Sequence, residues 1–176
     1  MLYRFDGKQP VIGTDSYVSD IARIIGDVVI GKHCYIGHGA ILRADYGRIV
    51  IGDGTAVEEG AIVHAPPNDT NRIGNRVTIG HGAVAHGKRI GDQAVIGMGA
   101  IVSIWSEIGE WTIVAEGSVV KLKQVIPSEV VAAGNPAQIV RTLTEKDKEF
   151  WTWGKQLYVD LAQKYLDIGL EPLENR

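Results

Sequence analysis

The sequence predicts an all-β fold, a parallel β-helix of hexapeptide repeats with one C-terminal α-helix. Three observations carry this. Aliphatic residues recur every six positions over most of the chain. Glycine is enriched, with 22 in 176 residues, about one in eight where roughly one in fourteen is usual. After about Pro127 the six-residue pattern stops, and apolar residues return at helical spacing. Collagen is excluded because no three-residue repeat is present. Disorder is excluded because β-branched apolar residues punctuate nearly every stretch.

The repeat begins at Ile12 and runs through Val18, Ile24, Ile30, Ile36 and Leu42. After a three-residue slip it resumes at Ile51, Val57 and Val63. A four-residue insertion precedes Ile73, Ile79 and Ala85. The next step is one residue short, and the series continues through Ile90, Ile96, Val102, Ile108, Val114, Val120 and Ile126. Four residues after each aliphatic stands a compact side chain, such as Ala22, Cys34, Ala40, Thr55, Ala61, Ala83, Ala94 or Ala100. Two residues from that position to the next aliphatic is the strand period, so both point inward. The residues between make a turn, where Gly and Asn tolerate unusual dihedrals. Three hexads form one triangular coil, giving about six coils over residues 12–126. Cys34 falls in the compact inward slot, which predicts packing rather than reactivity.

Pro127, Gly134 and Pro136 mark a loop. Thr144 followed by Asp147 resembles a capping box, with Asp replacing Glu. Phe150, Trp153, Leu157, Leu161 and Tyr165 then form a helical stripe ending near Gly169, expected to pack along the β-helix as core or interface. The expected organisation is a β-helix domain over 1–143 and a C-terminal helix over 144–176.

Composition narrows the function. A net charge of −3 and a pI near 5.9 argue against nucleic-acid binding. No apolar run reaches the ~18 residues of a membrane span. The first residues lack a basic region followed by an apolar one, so no signal peptide is expected. One cysteine permits no internal disulfide, which fits a reducing cytoplasm.

Five histidines are present, and the hexad register sorts them. His64 and His86 each follow an inward position, Val63 and Ala85. They are one coil apart once the four-residue insertion is counted, so they stack on neighbouring coils about 4.8 Å apart. Two imidazoles at that spacing can share one metal with Zn–N of about 2.0–2.1 Å. His81 stands in a different register, two residues after Ile79, near another edge. A neighbouring copy could supply it, and three prisms about a threefold axis would offer three equivalent sites. A three-His site with an open fourth position is a catalytic zinc arrangement; the alternative is that these are turn histidines. His33 and His38 have no third partner in register and are read as surface residues.

Val77-Thr78-Ile79-Gly80-His81-Gly82-Ala83, His86-Gly87 and Ile96-Gly97-Met98-Gly99-Ala100 together resemble the core signature of gamma-class carbonic anhydrases. Arg43-Ala44-Asp45 and Val63-His64 fall where that family has its Arg-x-Asp and first His. Ala133-Gly134-Asn135-Pro136-Ala137 is similar to its loop before the C-terminal helix. The compact length is similar to the branch associated with carnitine and phenylacetate metabolism. The resemblance implies a left-handed β-helix and a homotrimer with three intersubunit sites for zinc, or iron. It implies His64 and His86 from one subunit, His81 from the next, and reversible hydration of carbon dioxide to bicarbonate.

The match departs at informative places. Where the family reads Thr-Asn-Val-Gln-Asp-Gly, this chain reads Thr55-Ala56-Val57-Glu58-Glu59-Gly60. Ala56 cannot hydrogen-bond through its side chain. Glu58 replaces the Gln that orients the metal-bound hydroxide; a carboxylate there could accept a proton, bind the metal, or repel bicarbonate. Glu59 replaces an Asp that pairs with Arg43 across the interface. Asp45 matches its counterpart. The loop from Pro66 to Arg72 contains no Glu, so the acidic shuttle loop of longer relatives is absent. Tyr158 matches a helix tyrosine that approaches the site in compact relatives, with simple helix packing as the alternative.

The expected catalytic residues are thus Glu58, Tyr158, Arg43 and Asp45, and the expected metal ligands His64, His81 and His86. Competing hypotheses are a coenzyme A-dependent acyltransferase or thioesterase, and a trimeric metal-binding protein without efficient catalysis. Fold alone does not choose among them.

Overall fold

The computed structural model describes residues 1–173. Residues 174–176 of the expected C-terminal unit lie outside the described residues. The chain winds into a parallel β-helix whose strands pair with those one coil away, and where the sequence predicts a loop the β-helix ends in an antiparallel hairpin of Val130–Gly134 and Ala137–Thr142. Ile79 pairs with Val57 and Ile96, and Ala85 with Val63 and Val102. The three-residue slip is absorbed by an irregularity in the pairing between Gly26 and Val28, after which inward positions again face inward positions, Ile30 opposite Ile51. The longest strand, Ile41–Ile51, bends through a corner, pairing with Ile62–His64 on one side and Thr70–Ile73 on the other.

The core is a file of side chains one aliphatic deep. All the inward positions from Ile24 to Ile126 are buried, and so are the compact residues from Ala22 to Ser118. Ile12 and Val18, at the open end of the prism, are only partly covered. Polar members of the compact set point their hydroxyls along the stack: Ser16, Thr55 and Thr112 donate to the carbonyls of Gly31, Gly74 and Pro127.

Two kinds of corner residue divide the work that the sequence predicts for Gly and Asn in the turns. At most corners the third residue after an inward aliphatic adopts positive φ, whether it is Gly39, Gly54 or Gly82, or His33, Arg76, Gln93, Trp105 or Trp111. The glycine directly after the aliphatic has no positive φ. It is required by close approach: a Cβ on Gly52 would stand 2.6 Å from Asn75 Oδ1 and 2.7 Å from the Asn75 nitrogen.

Glu145–Ile168 forms the helix, with Thr144 as its N-cap, a complete capping box through Asp147, and Gly169 as its C-cap. Its inward face carries Lys155 and Ala162, with Tyr158, Leu161 and Tyr165 packed against Tyr17, Tyr35 and Ala56. Three of the five residues of the expected stripe therefore face away, with Phe150 and Trp153 each 58% exposed and Leu157 also exposed. Ala162 is fully buried at the centre of this contact, clustered with Tyr35 and Ala56. His38 is a second correction. It is not a free surface residue but lies partly buried under the helix, its Nδ1 2.7 Å from Ser19 Oγ and its ring edge-on to Tyr165. No helix among the described residues is long and apolar enough to cross a membrane.

Candidate metal centre in two halves

The first half lies where the Ile41–Ile51 strand leaves its corner. Arg43 pairs in register with His64, and Val63 with Ala85, which places His86 one coil from His64. The two imidazole rings stand 4.5 Å apart between centroids and are tilted by 42°. His64 Nε2 is 3.2 Å from Asp45 Oδ1, and Arg43 donates to Asp45 Oδ2 at 3.0 Å. Burial works to raise the Asp45 carboxyl, but the His64 ring, the backbone and Arg43 outweigh it and hold it below the usual aspartate value. Burial, and then the neighbouring His64, push His86 below the usual histidine value, so its neutral form is favoured. Neutral imidazole is the metal-binding form.

Asn71 fixes the spacing of this half. It is fully buried and donates both amide hydrogens, to the His64 and Ala85 carbonyls at 3.0 Å each. Sequence reasoning passed over it as a loop residue. The available signal was alternation, since Asn71 stands two residues before the inward Ile73.

The second half lies on a different face. Glu58 and Glu59 follow the Ala56–Val57 strand, and His81 follows Thr78–Ile79 on the next coil. His81 Nε2 is 3.2 Å from Glu58 Oε2, and its Nδ1 is 2.7 Å from Glu59 Oε2. The His81 backbone nitrogen donates to Glu58 Oε2 at 3.1 Å. From the β-helix side, Tyr35 donates to Glu59 Oε1 at 2.5 Å. From the helix side, Tyr158 approaches Glu58, and burial together with that carboxylate raises the phenol. Burial holds Glu58 above the usual glutamate value, against the opposing effects of His81 and Tyr158. The stacked tyrosines 17 and 35 were a legible 18-residue repeat in the sequence, though not one the histidine register pointed to.

The predicted residues thus gather as Arg43, Asp45, His64 and His86 on one face and Glu58, His81 and Tyr158 on another. His81 is not brought to the other two histidines. No group of three or more His, Cys, Asp or Glu side chains converges on one metal position among the described residues. The donors of the first half nevertheless fit a divalent metal. His86 Nε2 is buried with no hydrogen-bond partner among the described residues, beside a second imidazole.

Comparison with known proteins adds to this geometry. A model described as the hexapeptide repeat of succinyl-transferase matches residues 27–65 and 70–103. The chain is 38% identical over 162 residues to gamma carbonic anhydrase 2, mitochondrial, of Arabidopsis thaliana, covering 89% of this chain and 58% of that protein. With gamma carbonic anhydrase 1, mitochondrial, of the same plant, it spans 62% of the relative's length. It is 35% identical over 160 residues to the carnitine operon protein CaiE of Escherichia coli, covering 91% of this chain and 82% of that one. Among solved structures, a hexapeptide transferase family protein from Anaplasma phagocytophilum superposes with a TM-score of 0.88 and 32% identity, over 93% of this chain and 97% of the other. With its six-residue register, its parallel β-helix and these relatives, the chain belongs to the hexapeptide-repeat family that includes the gamma carbonic anhydrases and CaiE.

Proposed function

We propose that this chain is a carbonic anhydrase-like lyase, acting on carbon dioxide and bicarbonate as a homotrimer. His64 and His86 of one copy and His81 of the next would hold Zn2+, or Fe2+, at each interface. The observation that carries the reading is the split itself. Two imidazoles with an orphaned buried Nε2 lie on one face, and a third imidazole flanked by carboxylates lies on another. The gamma carbonic anhydrase and CaiE relatives support it. The assumed compartment is the cytoplasm.

When bound, the metal supplies a Lewis acid that lowers the pKa of water toward about 7. The protein's own residues do the rest. Asp45 accepts at Oδ1 from His64 and so fixes the ring that presents the first-half donor. Such an outer carboxylate also raises ligand basicity. Arg43, half exposed beside Asp45, offers a guanidinium to the anionic product. Glu58 Oε2 is the proton acceptor on the Nε2 side of His81, with Glu59 closer on the Nδ1 side, and the Tyr158 hydroxyl neighbours the Glu58 carboxylate. A buried carboxylate with a raised pKa holds a proton closer to neutrality than a free glutamate does, as proton transfer at neutral pH requires.

Stopped-flow hydration of carbon dioxide by the metal-loaded protein tests the activity. A rate no better than free Zn2+ would refute it and leave a metal-binding trimer, the role that the Ala56 and Glu58 departures keep open. A second reading, coenzyme A-dependent acyl transfer, is favoured by the similarity to a hexapeptide transferase family structure. Acyl transfer retained after His64→Ala and His86→Ala would support that reading against the lyase.

A further inference from the structure

One side chain outside both halves is placed against the usual logic of burial. Lys155, on the inward face of the helix, is 1% exposed, and its Nζ has no hydrogen-bond partner among the described residues. Two indoles flank it, with Nζ 5.3 Å from the Trp151 ring centre and 5.7 Å from that of Trp111. The charged group acting on it is a cation, Arg76, whose guanidinium is held by Gln156. Lys148 reaches the same Trp111 ring but is neutralised by Glu129 and Glu145. Arg76, Gln93 and Trp111 occupy successive coil corners. Gln93 Oε1 is a second buried atom there without a partner among the described residues.

Burial, and then Arg76, push the lysine down to about 7, so much of it is free amine at neutral pH. The indole faces favour the ammonium, but they supply no counter-charge. Space lies beside each indole, and the smaller of the two cavities is shared with Glu58 and His81. A groove of about 660 Å³ is bounded by Trp111, Arg76 and Gln156, and a cavity of about 160 Å³ by Trp151 and Tyr158.

We propose that Lys155 is a carbamylation site, where Nζ adds carbon dioxide between Trp111 and Trp151 to form a carbamate whose charge Arg76 stabilises. The nitrogen lone pair attacks the carbon, one C=O π bond opens onto oxygen, and Nζ releases one proton to solvent. The product carries one N–H and one negative charge, and no oxidant or further reactant is needed. The near-absence of exposure selects a small neutral electrophile over a bulky thioester. The change of sign at the side chain turns the repulsion of Arg76 into attraction. This inference does not rest on the metal or on hydration activity.

The test equilibrates the full chain with carbon-13-labelled bicarbonate and carbon dioxide at mildly alkaline pH. Carbamate is read by carbon-13 NMR, then trapped with triethyloxonium ion and mapped by peptide mass spectrometry. The expected result is a carbamate resonance lost in Lys155→Met and in Lys155→Arg, and a trapped adduct on Lys155. An unchanged spectrum in both variants, or adducts confined to the Met1 amine and exposed lysines, would overturn the proposal. If neither variant folds, adduct mapping on the wild-type protein decides alone.

Discussion

Asn71 is the most exposing place to perturb the first half. Its amide is the donor to two carbonyls on adjacent coils, those of His64 and Ala85. Replacement by Leu keeps the volume but strips both acceptors. A buried polar group left unpaired costs about 1–3 kcal/mol. The same change removes the amide oxygen, itself buried without a partner among the described residues, which returns a comparable amount. The net for Asn71→Leu is a loss of about 2 kcal/mol. With a urea m-value of about 1–3 kcal/mol/M for a small protein, the unfolding midpoint should fall by roughly 1 M at fixed protein concentration. Asn71→Asp should be worse than Leu, because it turns a carboxylate toward two carbonyl oxygens and has no hydrogen to give. Both variants should also weaken metal binding, since the spacing of the two imidazoles is no longer tied. A Leu variant within about 0.5 kcal/mol of wild type, or an Asp variant as stable as Leu, would refute the assignment of Asn71 as the tie.

Other consequences follow from the same structure. Lys155→Met should stabilise the fold, because a pKa held at about 7 in the folded state against an ordinary 10.5 costs on the order of 4 kcal/mol at neutral pH by linkage. The folded-state pKa is lowered, so the unfolded chain binds the extra proton between pH 7 and 10.5. The advantage of the variant should therefore be constant below about 7 and shrink as pH rises toward 10.5, and thermal melts across that range would show the opposite slope if the sign were wrong. Gly52→Ala should cost about 3 kcal/mol, because the added Cβ meets the Asn75 backbone nitrogen at 2.7 Å; wild-type stability would mean that the coils can separate. Thr144→Ala should remove one side of the capping box and cost about 1 kcal/mol, seen as fraying of the first helical turn in hydrogen exchange.

Much of the fold was legible because the prism is thin. One aliphatic and one compact residue per side leave little freedom, so a six-residue register names the inward positions even through a slip, an insertion and a short step. The same register separated His64 and His86 from His81 and set aside His33. What it missed was decided by packing across elements. His38 carries no mark in its own hexad, and its burial comes from Ser19 and Tyr165, distant in sequence. The outward turn of Phe150, Trp153 and Leu157 depends on which face of the helix docks, the face of Tyr158, Leu161, Ala162 and Tyr165 that packs on Tyr17 and Tyr35. Lys155 was invisible because a lysine in a helix reads as solvent-exposed unless the walls around it, Trp111 and Trp151, are known.

The central claim is that each metal site is assembled from two copies of the chain, and metal analysis of mixed oligomers tests it most directly. Two variants are prepared separately, His81→Ala and the double variant His64→Ala/His86→Ala, each lacking one half. Each alone should bind no metal at the site. Unfolded together and refolded as a mixture, they should recover occupancy at roughly a quarter of the sites, as random pairing of intact halves around a closed ring gives. If the mixture binds no more metal than the separate variants, or if His81→Ala alone keeps full occupancy, the two halves do not form one site.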